Sequence, residues 1–119
     1  MNKVNISEKL SLINEYWNPK IIGEFNDSFI KIGKLKGEFV WHHHENEDEV
    51  FLVIKGKLII KLREKDIVLE EGEFFVVPKG IEHMPVGEDE VHLMMLEPKS
   101  TLNTGNIKDE RTKENIEFI

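Results

Sequence analysis

Three histidines and a glutamate stand at spacings that suit a metal site. They are His42, His44 and Glu49 in GEFVWHHHENEDEVFLVIKG, and His83 in GEFFVVPKGIEH. His42 and His44 lie two apart in an apolar, β-branched run, so on a strand both rings leave the same face. Residues 45–48 are acidic or amide and suit a turn. Glu49 opens the next apolar run, VFLVI, where it can face back toward the two imidazoles. His83 follows a Pro78-Lys79-Gly80 turn able to aim a side chain inward. Three neutral imidazoles and a carboxylate suit a borderline divalent ion, with manganese, iron, nickel, copper and zinc all candidates. His43 has the opposite strand parity and is expected to face outward beside Trp41.

Such donors need short strands to carry them, and the chain from Ile21 to Leu96 supplies the pattern. Apolar runs recur as KIIGEF, SFIKIGKL, EFVWHH, VFLVIK, KLIIKL, DIVLE, FFVVP and VHLMMLE. Turn signals separate them at Asn26-Asp27, Gly33, Lys36-Gly37, Gly56, Lys65-Asp66, Glu71-Gly72, Pro78-Lys79-Gly80 and Gly87-Glu88-Asp89. About eight short strands without helical spacers predict an all-β sandwich or barrel. Gly56, Gly72 and Gly80 read as turn residues. Upstream, Ile6, Leu10, Ile13 and Trp17 recur at helical spacing, predicting a helix over residues 6–17 capped by Ser7. A β-arm is the competing reading. Pro19 ends the segment either way. The tail after Pro98 is polar until Ile116, Phe118 and Ile119, which can pin it to the body or to a partner.

At 119 residues the chain predicts a single domain: an arm over 1–19, a barrel core over 20–98 and a tail over 99–119. A net charge of −7 argues against nucleic acid and anionic membrane surfaces. No apolar stretch is long enough to span a bilayer, and residues 1–12 lack the apolar region of a cleavable signal, so a cytoplasmic protein is expected. The absence of cysteine removes thiol ligands, thiol nucleophiles and disulfides.

The spacing is more specific than a lone HxH. Gly37, His42-x-His44, Glu49 and Gly56 resemble the first signature of the cupin superfamily; Gly72, Pro78-x-Gly80 and His83 resemble the second. The first glycine falls one residue short of the usual spacing, and Gly87 stands where the second signature ends in asparagine; neither is a ligand position. The resemblance covers roughly residues 20–98. It implies a double-stranded β-helix, or jelly-roll barrel, with one divalent metal ion per chain held by His42, His44, Glu49 and His83. Four protein ligands on an octahedral ion leave two positions open, unlike a closed structural zinc site.

Parity places Val40, Phe51 and Val53 on the apolar wall around the ion. His92 and Met94 line the cavity as well if their face of the strand is internal. The leading expectation is a metal-dependent enzyme on a small organic molecule. Iron, nickel or copper would suit a dioxygenase acting on an enol, catechol or thiol; manganese or zinc would suit an isomerase or epimerase. No separate general base stands out: Tyr16 lies outside the barrel segment, and Glu38 and His92 are the remaining candidates. Phosphosugar isomerisation is disfavoured because Lys55, Lys57 and Lys61 look outward. A non-catalytic module that binds or senses a small ligand is the alternative, and a structural metal bracing the barrel a third reading. Exposed sheet edges predict a homodimer, with the N-terminal segment, carrying Ile21 and Ile22 after a Pro19 hinge, as a candidate exchanged arm.

Overall fold

The computed structural model describes residues 2–119. Seven strands form one continuous antiparallel system: β1 (Lys20–Phe25), β2 (Ser28–Glu38), β3 (Glu49–Lys55), β4 (Leu58–Leu62), β5 (Asp66–Leu69), β6 (Phe74–Val77) and β7 (His83–Pro98). The main path runs β1-β2-β7-β3-β6, and β4 pairs with both β5 and β7. This is the jelly-roll arrangement. β7 serves both halves of it: His83 to Val86 lie against β4, whereas the stretch from His92 onward lies against β3.

The crossing starts β7 at His83, well before the expected run VHLMMLE. Gly87-Glu88-Asp89 does not end a strand. The register with β2 shifts between Val91 and Gly87, and exposed Glu88, Asp89 and Glu90 bulge outward there. A bulge lets a strand bend from one sheet to the other without losing its ladder. The expected strand at EFVWHH is absent. Residues 39–48 form an irregular link in which only His42 makes a β-bridge, to His83.

The barrel interior is apolar, built from Leu35, Phe51, Val53, Leu58, Ile60, Leu69, Val77, Val91, Leu93 and Met95. Each fully buried Leu or Ile contributes roughly 1.5–3 kcal/mol. A second cluster covers the outside of the sheet, where Leu10 and Ile13 pack on Ile22 and Ile32, with Ile6, Ile54, Met94 and Ile119 around them.

The N-terminal helix, α1, is shorter than its sequence pattern, spanning Ile6–Leu10. Its cap is Asn5, not Ser7: the Asn5 side chain accepts a hydrogen bond from the Glu8 amide. Trp17 lies outside the helix in a left-handed conformation (φ 59°) and points at the barrel mouth instead of joining the stripe of Leu10 and Ile13. β1, with buried Ile21 and Ile22, pairs with β2 of its own chain, and Ile21 bridges to Phe118. The final residues therefore pin the tail to the body. Among the described residues no helix is long and apolar enough to cross a membrane.

Candidate metal centre

His42, His44, Glu49 and His83 converge. Each offers one ligand atom, and these atoms lie within 4.8 Å of one another. That is close to the spacing kept by donors each about 2.1 Å from a shared ion. Glu49 opens β3 and His83 opens β7, while His42 and His44 come from the link between β2 and β3. That link is tied down by its backbone. The His42 amide donates to the His83 carbonyl at 3.1 Å, the His83 amide donates back at 2.9 Å, and the Gly80 amide donates to the His44 carbonyl at 2.8 Å.

Hydrogen bonds set which nitrogen of two rings faces the centre. His42 Nδ1 lies 2.8 Å from the Val40 carbonyl, and His83 Nδ1 lies 2.9 Å from that of Ile81. A carbonyl only accepts, so each Nδ1 carries the proton and each Nε2 keeps its lone pair. Glu49 Oε1 lies 3.4 Å from both His44 Nε2 and His83 Nε2. All three atoms are buried without a hydrogen-bond partner. Orphaned buried acceptors are costly, and converging ones fit a cation.

The electrostatics agree. Burial, reinforced by neighbouring His83, lowers the His42 pKa to about 4, so the ring is neutral and able to bind metal at neutral pH. Burial alone would raise Glu49, but its close contacts with Glu97, His44 and His83 outweigh it and hold the carboxyl well below its usual range. Glu97 goes the other way: burial, then the adjoining charge of Glu49, push it well above the ordinary value despite Lys31. Of these two adjacent buried carboxyls, Glu97 therefore holds a proton more tightly than Glu49.

A cavity of about 50 Å³, counted as space open to the centres of water molecules, adjoins the cluster. One water needs about 10–15 Å³ by that measure. Its walls are Trp17, Pro19, Leu35, Phe39, Phe51, Pro85, Leu93 and Met95, and its polar lining is His42, Glu49, Glu97 and Asn103. Trp17 and Phe39 stack with centroids 4.9 Å apart.

Of the expected lining residues, Phe51 faces this cavity. Val53 is buried deeper in the core. Val40 is half-buried in the irregular link and contributes its carbonyl to His42. His92 and Met94 lie on the outer face of β7. His92 Nε2 meets Glu90 at 2.7 Å, and Met94 packs on the outer cluster. Leu93, Met95 and Glu97 take the interior instead. The assignment reversed because the outer face of the sheet is itself covered by the N-terminal segment, so apolar residues occur on both faces of β7. His43 is half-buried under the tail, with Nε2 3.0 Å from Glu45 Oε2. Tyr16 is bonded through its hydroxyl to Glu90 at 2.7 Å.

Sequence reasoning missed Glu97, Lys31 and the tail. Lys31 and Glu97 are 2 % and 4 % exposed, with Nζ and Oε1 2.6 Å apart. A lone acidic residue at the end of VHLMMLE looks like a solvated strand end; the only available signal was its parity with Leu93 and Met95. The tail closes over the link: the Asn106 amide donates to the His43 carbonyl, the Asn106 side chain accepts from the His43 amide, and Asn103 reaches the cavity. Gly105 allows this approach. It has φ +57°, and a Cβ there would lie 2.1 Å from the His43 carbonyl oxygen.

Known proteins resemble this chain. A cupin-2 domain-containing protein from Shewanella frigidimarina has 46 % sequence identity and a TM-score of 0.80, covering 81 % of this chain and 94 % of that one. Bacillus subtilis YdbB is 38 % identical over 63 residues, 52 % of this chain and 56 % of its own length. The 3-hydroxyanthranilate 3,4-dioxygenase of Nematostella vectensis is 38 % identical over 64 residues, 44 % of this chain and 24 % of the dioxygenase. The chain thus spans about half of YdbB and a quarter of the dioxygenase. Residues 30–97 match the Cupin domain family, and with both ligand-bearing segments inside that stretch the chain belongs to the cupins.

Proposed function

We propose that this cupin is a divalent-metal-dependent enzyme acting on a small, largely apolar organic molecule, with dioxygenase chemistry the best-supported form. One observation carries the reading: buried, partnerless His44 Nε2, His83 Nε2 and Glu49 Oε1 meet beside a cavity walled by aromatic and aliphatic side chains. The match to a 3-hydroxyanthranilate 3,4-dioxygenase supports the oxygen-dependent form over an isomerase.

Bound by His42, His44, Glu49 and His83, a divalent ion supplies redox or Lewis-acid chemistry at the cavity wall. The chain's own residues do the rest. The stacked Trp17 and Phe39 rings, with Phe51 and Met95, exclude water and favour a flat apolar substrate. The Val40 and Ile81 carbonyls hold the protons on His42 and His83 Nδ1, leaving Nε2 free to ligate. Glu97, its pKa raised by burial, adds to the cavity lining a carboxyl that is not one of the four ligands.

The test is elemental analysis of native protein purified without chelator or a metal-affinity step, followed by oxygen-uptake assays on a panel of catechols, aminophenols, enols and thiols. Stoichiometric iron, nickel or copper with oxygen consumption is the expected result. Stoichiometric metal with tight ligand binding but no turnover would instead identify a sensing module. Turnover of a carbonyl substrate without oxygen uptake would identify an isomerase.

A further inference from the structure

A polar row crosses the floor of an otherwise apolar barrel. In register, Phe29 of β2 faces Glu97 of β7, which puts Lys31 diagonally beside Glu97 on the same face. On the other side Val50 faces Leu96, so Glu49 opens β3 directly opposite Glu97. The row therefore reads Lys31, Glu97, Glu49 across three adjacent strands. Two carboxyls placed opposite each other in a sheet are unfavourable, and burying a Lys–Glu pair costs desolvation that its attraction barely offsets. Apolar residues would brace these strands at least as well.

Geometry shows what the row does instead. Lys31 Nζ fixes Glu97 by donating to Oε1 at 2.6 Å. Glu97 Oε2 has no amide, hydroxyl or ammonium partner among the described residues. Across the strand pair it faces the Glu49 carboxyl, which stands opposite it in register and lines the same cavity. A carboxylate engaged on that side cannot rotate freely, and Glu49 Oε1 stays aimed at His44 and His83.

We infer that Lys31 and Glu97 are positioning residues that hold Glu49 in its ligating orientation, so that the ion's tightness of binding and ligand geometry depend on a pair that never touches it. The inference rests on the metal-centre reading above. Partners of this kind typically govern about 10- to 100-fold of metal affinity.

The test uses the whole chain stripped of metal and titrated with Co2+, whose absorption spectrum reports ligand geometry. Replacing both partners with apolar side chains, Lys31→Met with Glu97→Leu, removes the row without stranding a charge, so the fold should survive with an unchanged or raised melting temperature. Co2+ affinity should fall by about 10- to 100-fold and the visible bands should shift. Glu97→Gln, which offers Glu49 an amide donor and keeps an acceptor for Lys31, should restore affinity to within about threefold of the unaltered protein. Equal Co2+ affinity and an unchanged spectrum in the double variant would overturn the inference. So would equal losses in Glu97→Gln and Glu97→Leu. If the unaltered protein binds no Co2+ at all, the metal-centre reading itself fails, a separate outcome.

Discussion

β7 carries two histidines, His83 and His92, in opposite circumstances. His83 is fully buried, its Nδ1 committed to the Ile81 carbonyl and its Nε2 left without a partner. His92 sits on the outer face, where Nε2 meets Glu90. His83 follows the apolar run FFVV and His92 opens the run LMML, and residue type alone does not separate them. What separates them is satisfaction: a buried imidazole with one nitrogen fixed and the other idle is a ligand in waiting, whereas one that already has a carboxylate neighbour has finished its work.

The largest expected effect breaks this comparison on its ligand side. His83→Ala or His42→Ala should abolish stoichiometric divalent metal, a loss of more than about 100-fold in affinity, while circular dichroism still reports the β fold. Retention of full metal in both variants would remove the site. A second effect needs no metal. His42 has its pKa lowered from 6.5 to about 4 in the folded chain. Between those values the unfolded chain binds the extra proton and the folded one does not. This contribution is therefore complete above about pH 6.5 and lost as pH falls toward 4, on the order of 3 kcal/mol. Chemical denaturation of metal-free protein across that range checks it, and His42→Ala should flatten the slope.

Smaller effects sharpen the contrast. Gly105→Ala should loosen the tail from the His42–His44 link. The backbone cannot accept a Cβ 2.1 Å from the His43 oxygen, and the φ of +57° adds strain of about 1–3 kcal/mol. Limited proteolysis after Thr101 should speed up accordingly. His92→Ala and His43→Ala should leave metal content untouched and alter stability by about 1 kcal/mol or less. Loss of metal in His92→Ala would erase the distinction drawn between the two positions on β7.

Much of this was legible in the residues. The ligand set of the HxH pair, Glu49 and His83 was readable from residue type and spacing, although the HxH pair lies on an irregular link and not on the expected strand, and β1, β2, β3, β4, β5 and β6 follow the apolar runs. What escaped was decided by distant parts of the chain. The interior side of β7 cannot be read from alternation when Leu10, Ile13 and Ile22 cover its other side. Without that side, Glu97 looks like a strand end and Lys31 like a surface lysine. The polar tail carries no periodic signal, because its contacts run through backbone groups of His43 and through single side chains such as Asn106. Gly87-Glu88-Asp89 has turn chemistry, yet pairing on both flanks turns it into a bulge.

The reciprocal pair of amide bonds between His42 and His83 has one more consequence. It clasps the two signature segments together through main chain alone, so the mould for the ion is cast before any ion arrives. Loading should then resemble a key entering a finished lock, quick and with little gain in order, and a chelator should empty the protein without unravelling it.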